Sequence, residues 1–523
     1  MHRCLAIPEI LQLISESLRD DYGRRNLPSL AVLAQTCRSF SPVALAQLWG
    51  ILSGLDPILH CMPLDLFSRR GKDSWKLQRP IRASDWERPL VYMGLIKDLT
   101  IGPSPTVPQI FPALHASLPA EVETCFPRLT RVQWYDDLES VSMRLTLSPR
   151  LTQVFMFIGT SHTNFSCLSS IPRLCPGLQE VSLRCQVPDG PSISDFLCRL
   201  HSLQRLMYVD IPDIQTLQHL SRLPSLMSME ISLPKILPTT PSPLSFIPLK
   251  KLIIWDSGVE GTVNFFTLCT MASLQDLNIP LETRTNIVAI DRLHTALRKS
   301  CSHESLKTFS VDYSETDPSE LEEPPNTCMI PLHSIQLLFC FANLTTVSIT
   351  SHLGFHLNDE ELKTVAVAWP CLQVLHLRCG ELAPYDKPGL SLHSLSTLAK
   401  YCVSLKTLTL SLDATSVPDL PSITTAHQPT PQLALRHLDV DRSPISAPSI
   451  YVARFLFSFF PNLTTIRTAR TFLDNDEPDE PEETIQAIVY YDRWLEVWLQ
   501  LPVLKAVREE GWAKAQAELG TRS

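Results

Sequence analysis

One short pattern, L-x-x-L-x-L, returns about thirteen times between residues 90 and 470 and constrains the chain more than any other feature. The clearest copies are LQEVSLR at Leu178, LQVLHLR at Leu372, LKTLTLS at Leu405 and LRHLDVD at Leu435. The series opens at Ile96-x-x-Leu99-x-Ile101. It continues from Leu129, Leu151, Leu178, Leu203, Leu226, Leu249, Leu274, Leu306, Leu344, Leu372, Leu405, Leu435 and Leu463. One such unit cannot bury its own apolar face, whereas neighbours stacked in series can, so the pattern predicts a solenoid. Leu203 to Leu226 and Leu226 to Leu249 are each 23 residues, and Leu306 to Leu344 is 38. The connecting arms therefore vary while the strand motif is kept.

Each copy makes sense as a short parallel strand. In the one at Leu372, Leu375 and Leu377 point inward at period two, and Val374, His376 and Arg378 face outward. Helical stripes precede the later strands: Leu362, Val365, Ala366 and Trp369; Leu395, Leu398, Ala399 and Cys402; Ala453, Leu456, Phe457 and Phe460. Asn358 with Glu361 has the spacing of a capping box. A corner of an apolar residue and proline then stops the helix and sets the entry into the strand, as at Phe126-Pro127, Cys175-Pro176, Trp369-Pro370 and Phe460-Pro461.

Strand, arm, helix and corner together resemble a leucine-rich repeat, of the loose kind attached to F-boxes. The resemblance implies an α/β, leucine-rich-repeat-like horseshoe solenoid with a parallel sheet on its concave face and helices outside. The family's Asn or Cys after the strand is mostly missing here, its place held by Gln186, Gly380, Asp413 and Ser443. Without that ladder, irregular curvature is expected. Cys175 and Cys402 align with Trp369 and Phe460 at the corner, so they read as small buried apolar residues.

The first fifty residues have another character. Ile7, Ile10, Leu11, Ile14 and Leu18 form one helical stripe, with Pro8 suited to a first turn. Leu30, Leu33, Ala34 and Cys37 form a second behind Ser29 as N-cap. Leu45, Leu48, Trp49 and Leu52 form a third behind Ser41 and Pro42. Three short helices bury too little to be stable alone.

Ile7-Pro8-Glu9-Ile10-Leu11, Leu30 through Phe40 (LAVLAQTCRSF), Ala44 and Leu48-Trp49 resemble the F-box, particularly its fungal form. The resemblance implies docking to a Skp-type adaptor and, through it, a cullin scaffold, with Pro8, Ile10, Leu11, Leu33 and Trp49 at core and adaptor-facing positions. The stretch Arg19 through Asn26 makes a long, charged first connection, a departure from the pattern. A plain three-helix cap on the first repeat is the competing expectation.

The division expected is an F-box-like module at 1–52, a connector at 53–90, the solenoid at 91–470, and an acidic linker with a C-terminal helical cap at 471–523. The connector's Arg69, Arg70 and Lys72 read as a solvated face. Glu315 to Pro325 and Asp474 to Glu483 are acidic, proline-containing stretches expected as an exposed loop and a linker. Ile485, Ile488, Val489, Trp494, Val497, Trp498 and Leu501 follow as the cap.

Outward strand positions should line one face. Phe155, Phe157, Glu180, Ser182, Arg184, Met207, Val209, Ser228, Glu230, Ile253 and Trp255 fall there, and aromatics, Met and Arg are enriched at protein interfaces. Phe157, Arg184, Met207 and Trp255 are the candidate client-binding residues; burial under another segment is the alternative. The later outward positions (Thr346, Ser348, Thr407, Thr409, Ser411) are small and polar.

Composition narrows the function classes. Net charge is −9 with no large Lys/Arg cluster, which disfavours nucleic acid. No apolar run is long enough to span a bilayer, and Pro8 and Glu9 interrupt any signal-peptide core. Fifteen cysteines carry no CxxC or zinc-type spacing, so reduced thiols in the cytoplasm or nucleus are expected, with no metal and no cofactor. The sequons at Asn164, Asn343 and Asn462 read as chance, since Leu344 and Leu463 begin strands. Asp256-Ser257-Gly258 is too short a match to count as a phosphodegron. No nucleophile elbow, phosphate loop or HExxH appears, and no catalytic residue is expected. The F-box and leucine-rich-repeat resemblances together imply a non-enzymatic substrate receptor of an SCF-type ubiquitin ligase that directs a protein client to proteasomal degradation. The alternative is a non-ligase interaction scaffold.

Overall fold

Every leucine that opens a repeat is buried, from Ile96 through Leu463, and each motif forms a short strand. The structure is a computed structural model describing residues 7–19, 23–70, 74–102, 107–135, 140–159, 162–234, 236–238, 243–255, 257–281, 285–313, 329–351, 354–379, 388–418, 431–468 and 482–520. The acidic stretch 315–325 lies outside them, as do Lys72, Asp256 and residues 474–481 of the second acidic stretch.

Two units divide the chain, Met1–Ser232 and Leu233–Ser523. In the first, strands β1 (Ile51–Ser53), β2 (Asp98–Ile101), β3 (Arg131–Trp134), β4 (Gln153–Ile158), β5 (Glu180–Cys185), β6 (Arg205–Asp210) and β7 (Ser228–Ser232) pair in chain order, all parallel. Register places Leu52, Leu99, Val132, Val154, Val181, Leu206 and Met229 in one buried row. In the second unit, β8 (Lys251–Ile254), β9 (Asp276–Pro280), β10 (Thr308–Tyr313), β11 (Thr346–Ser351), β12 (Val374–Cys379), β13 (Thr407–Thr409), β14 (His437–Asp439) and β15 (Thr465–Arg467) pair the same way. Parallel pairing forces a crossover after every strand, and helices supply many of them. These helices pack in series, Gly190–Cys198 on Ile214–Ser221 in the first unit and Asp359–Ala368 on His393–Tyr401 in the second. Their apolar stripes close the core: Leu362, Val365, Ala366 and Trp369 are all buried, as are Leu395, Leu398, Ala399 and Cys402. Each buried leucine contributes about 2 kcal/mol relative to exposure.

Local signals mostly hold. Asn358 and Glu361 close a capping box, with backbone N–H groups donating at 3.0 and 2.9 Å to the opposite side chains. Cys175 and Cys402 are buried, and burial pushes their thiols up to about 11 and about 12. Asn343 and Asn462 each donate a side-chain N–H to a carbonyl of an earlier turn, Glu304 and Leu433, both at 3.0 Å.

Several details differ from the sequence expectation. The third N-terminal helix ends at Trp49, and Leu52 belongs to β1, because its N–H and C=O join a ladder with Asp98–Ile101. Asn26, not Ser29, caps the second helix by accepting from the Ser29 N–H at 3.0 Å. Ser41 is the first helical residue of the third helix rather than its cap. Residues between β1 and β2 form a helical turn (Asp56–Leu59), an antiparallel pair (Phe67–Arg70 with Ser74–Leu77), a 3-10 turn (Ala83–Trp86) and a helix (Glu87–Met93). Arg79 ties this arm together by ion pairs to Asp65 and Asp85, both at 2.7 Å. In the helix Ser449–Phe459 the buried face is Val452, Ala453, Phe455, Leu456 and Phe459, while Phe457 is half-buried.

The ladder residue is mostly missing from the sequence pattern, but at two repeats a serine fills its role. Ser443 Oγ accepts from Leu412 N–H at 2.7 Å, and Ser257 Oγ accepts from Leu233 N–H at 2.7 Å. In both cases a serine eight positions into one repeat satisfies the backbone seven positions into the preceding one. Ser257 is buried by this role.

Residues 482–520 form one helix, Glu482–Gly520, which packs on Ser449–Phe459 and β15. Trp494, Val497 and Leu501 are buried, and Trp494 Nε1 donates to the Ser443 carbonyl at 2.9 Å. Ile488 and Val489, also read as cap residues, are exposed.

Candidate interaction surfaces

The N-terminal helices are α1 (Pro8–Ser17), α2 (Leu27–Thr36) and α3 (Ser41–Trp49), and prolines stand in the first turn of each. Their small core holds Leu11, Leu30, Ala44 and Ser15, whose hydroxyl donates to the Leu11 carbonyl. The module is joined tightly to the first strand. Arg25 donates to the Gln47 carbonyl at 2.6 Å and the Ile51 carbonyl at 2.9 Å, and Trp49 stacks on Tyr92 with centroids 4.5 Å apart. Gly50 passes α3 directly into β1, its carbonyl accepting from the Lys97 and Asp98 N–H groups.

Of the residues singled out from the sequence, Pro8 is exposed, Ile10, Leu33 and Trp49 are half-buried, and Leu11 is buried within the module. Leu13 and Val32, each 65% exposed, and Ile7 and Leu27 also present apolar surface. Leu13 and Val32 fall off the buried helical stripes, which is the signal that could have found them.

On the sheet of the first unit, outward residues form rows across the strands. The lowest runs Asp98, Arg131, Gln153, Glu180, Arg205 and Ser228. Its charges are paired: Arg131 lies 3.7 Å from Asp98 and its guanidinium sits 4.8 Å over the Phe155 ring, and Arg205 pairs with Glu180. Burial raises the Asp98 carboxyl, an effect that Arg131 and Arg25 partly offset. The next row is Thr100, Gln133, Phe155, Ser182 and Met207. Above it Phe157 stands opposite Arg184, and Tyr135 follows one residue after the Trp134–Met156 pair.

The sixth strand breaks the alternation. Register shifts between Leu206 and Val209, and Tyr208 adopts φ +54°, a left-handed conformation costly for a residue with a side chain. Val209, expected outward, is therefore buried, and Tyr208 is turned out at 48% exposure. Phe155, Phe157 and Met207 are half-buried, while Tyr135 and Arg184 are exposed. The structure thus brings Phe157 beside Arg184, with Met207 one row away. Trp255 lies in the second unit, half-buried, its carbonyl accepting from Ser257.

On the later strands of the second unit the sheet face is mostly polar. Thr308, Thr346, Val374, Thr407, His437 and Thr465 share one row, and Ser310, Ser348, His376, Thr409, Asp439 and Arg467 the next. His376 Nδ1 and Thr409 Oγ1 are 2.6 Å apart, and Arg378 lies 3.5 Å from Asp439. Asp441 is buried with φ +48° and accepts from Cys379 N–H (2.9 Å) and Ser411 Oγ (3.1 Å); burial raises its carboxyl despite these donors. Among the described residues no group of three or more His, Cys, Asp or Glu side chains could hold a metal, and no helix is long and apolar enough to cross a membrane.

Parallel strands, helical crossovers and the buried leucine rows define an α/β leucine-rich-repeat solenoid. No family model matches the chain, and no curated protein matches it. Among solved structures it is similar to the protein of a TLR13–ssRNA13 complex, at 15% identity and TM-score 0.33. That match covers 77% of this chain and 60% of the other, less than two-thirds of its length. It is also similar to a chain of the Rad7–Elc1 complex of yeast, at 13% identity and TM-score 0.30, covering 73% of this chain and 92% of that one. The leucine-rich-repeat protein LegL7 of Legionella pneumophila shows 12% identity and TM-score 0.29, over 66% and 90%. With TM-scores this low, nothing about this chain's partners follows from them.

Proposed function

We propose that the chain is the substrate-recognition subunit of an SCF-type ubiquitin ligase, its N-terminal module docking a Skp-type adaptor and its repeats binding a protein client. The role is non-enzymatic: ubiquitin transfer is supplied by proximity to a conjugating enzyme held elsewhere in the assembly. The observation that carries the reading is the apolar surface on α1 and α2. Ile7, Leu13, Leu27 and Val32 stay exposed, whereas Leu11, Leu30 and Ala44 form the module's core and Trp49 joins it to Tyr92. Exposed apolar groups on a small helical unit suit helix-to-helix docking. The joint itself favours a second reading, a cap that seals the first strand of an interaction scaffold.

The two readings separate in a binding assay between the purified full chain and a Skp-type adaptor. Leu13→Asp combined with Val32→Asp leaves the core untouched and is expected to weaken adaptor binding at least tenfold without changing the melting temperature. A folded parent chain that does not bind the adaptor would make the scaffold reading the leading one. Leu11 is a poor probe, since a buried carboxylate there would unfold the module.

A further inference from the structure

Arg184 is singular on the sheet face of the first unit. It is exposed, and among the described residues it has no ion-pair partner, whereas Arg131 and Arg205 on the same face hold Asp98 and Glu180. The acids on the next two strands, Asp210 and Glu230, are not free either. Around Arg184 the surface is aromatic. Phe157 is its partner across the ladder, Tyr135 follows on the far side of Phe157, and the bulge turns Tyr208 outward on the neighbouring strand. The guanidinium is a planar fork of donors beside low-dielectric ring surface, where a charge-assisted hydrogen bond gains strength.

From this juxtaposition we propose that the face recognises an extended segment of a client carrying a carboxylate side chain next to an aromatic or aliphatic one. The carboxylate meets Arg184, and the apolar neighbour lies on Phe157 and Tyr135. Strands are about 4.8 Å apart and alternate residues of an extended chain about 6.6 Å apart, so both contacts fall within adjacent or alternate positions. A carboxylate is favoured over a phosphate because the dianion calls for more than one cation, and the nearest arginines are already neutralised by their own acids. Recognition therefore proceeds without phosphorylation. The inference rests on the proposed client-binding role of the repeats and names the class of client.

The test is selection of a displayed random-peptide library on the purified full chain, followed by affinity measurements on Arg184→Gln, Arg184→Glu and Phe157→Ala, each checked for an unchanged melting temperature. Enriched peptides are expected to carry Asp or Glu within two residues of an apolar side chain. They should lose about tenfold or more in affinity with Arg184→Gln. Selection on Arg184→Glu should enrich Lys or Arg in place of the acid. Peptides that depend on Phe157 but bind Arg184→Gln as well as the parent would overturn the carboxylate inference and leave the client-binding face standing. Binding only after peptide phosphorylation would overturn it as well. An absence of enriched peptides, or peptides indifferent to all three substitutions, would remove both the inference and the reading on which it rests.

Discussion

Ser443 joins three parts of the second unit: its hydroxyl accepts from Leu412 of the preceding repeat, and its carbonyl accepts from Trp494 of the last helix. Nothing in a serine's identity announces this, because a hydroxyl serves as cap, ladder or solvent contact according to what the fold places beside it. His294 is a similar case. It is fully buried, with Nδ1 2.7 Å from the Ser334 carbonyl and Nε2 2.9 Å from the Tyr313 hydroxyl. The carbonyl can only accept, so Nδ1 carries the proton and Nε2 accepts from the phenol. Burial pulls the imidazole down from 6.5 to about 4 and pushes the Tyr313 phenol up. Between those values the unfolded chain binds a proton that the folded one does not. The contribution of neutral His294 is thus complete above pH 6.5 and is lost as pH falls towards 4. Urea midpoints at pH 7.5 and pH 5 should show a loss of about 2 kcal/mol that His294→Gln lacks. An equal pH dependence in parent and variant would rule out this account.

At the scale of single elements, the strands were legible because period-two alternation is a local property and survives any arrangement of neighbours. The same holds for the capping box at Asn358 and for the corners at Trp369 and Phe460. Helix ends were less so. The stripe through Leu45, Leu48, Trp49 and Leu52 continues past the point where the chain turns, since β2 offers Leu52 backbone partners that no helix could. The bulge at Tyr208 was invisible for a related reason. Met207-Tyr208-Val209 alternates acceptably in sequence, and only pairing with β7 reveals an extra residue. The C-terminal helix was read as a cap, and the contacts of Trp494, Val497 and Leu501 set what it should contribute. Trp494→Ala removes a buried ring and leaves the Ser443 carbonyl without its indole donor, so it is expected to destabilise the second unit by about 3–5 kcal/mol. Chemical denaturation measures this; a variant as stable as the parent would mean that the helix does not close the last repeat.

For the whole molecule, cysteine chemistry reports how completely the repeats exclude solvent. Cys371 is exposed, whereas Cys125, Cys167, Cys175, Cys269, Cys301 and Cys402 are buried. Burial pushes the thiols of Cys167 and Cys301 up to about 12, away from the reactive thiolate. Iodoacetamide followed by peptide mass spectrometry should label Cys371 first and leave the buried set unmodified until the chain is unfolded. Early labelling of the buried set would mean that the repeats open locally under native conditions.

By itself the sequence determined the repeat, the inward leucine rows and the three N-terminal helices, because periodicity and the chemistry of proline and asparagine act within a few residues. The tertiary structure decided everything that depends on residues far apart in the chain. It showed that Leu11 lies in a core while Leu13 faces out, that Ser257 and Ser443 each take a ladder position, and that Val209 is buried in favour of Tyr208. It also left Arg184 unpaired among its described neighbours while Arg131 and Arg205 found acids, a distinction set by which strands lie side by side. Pairing across strands is a matter of register, and register is settled only when the whole sheet has formed.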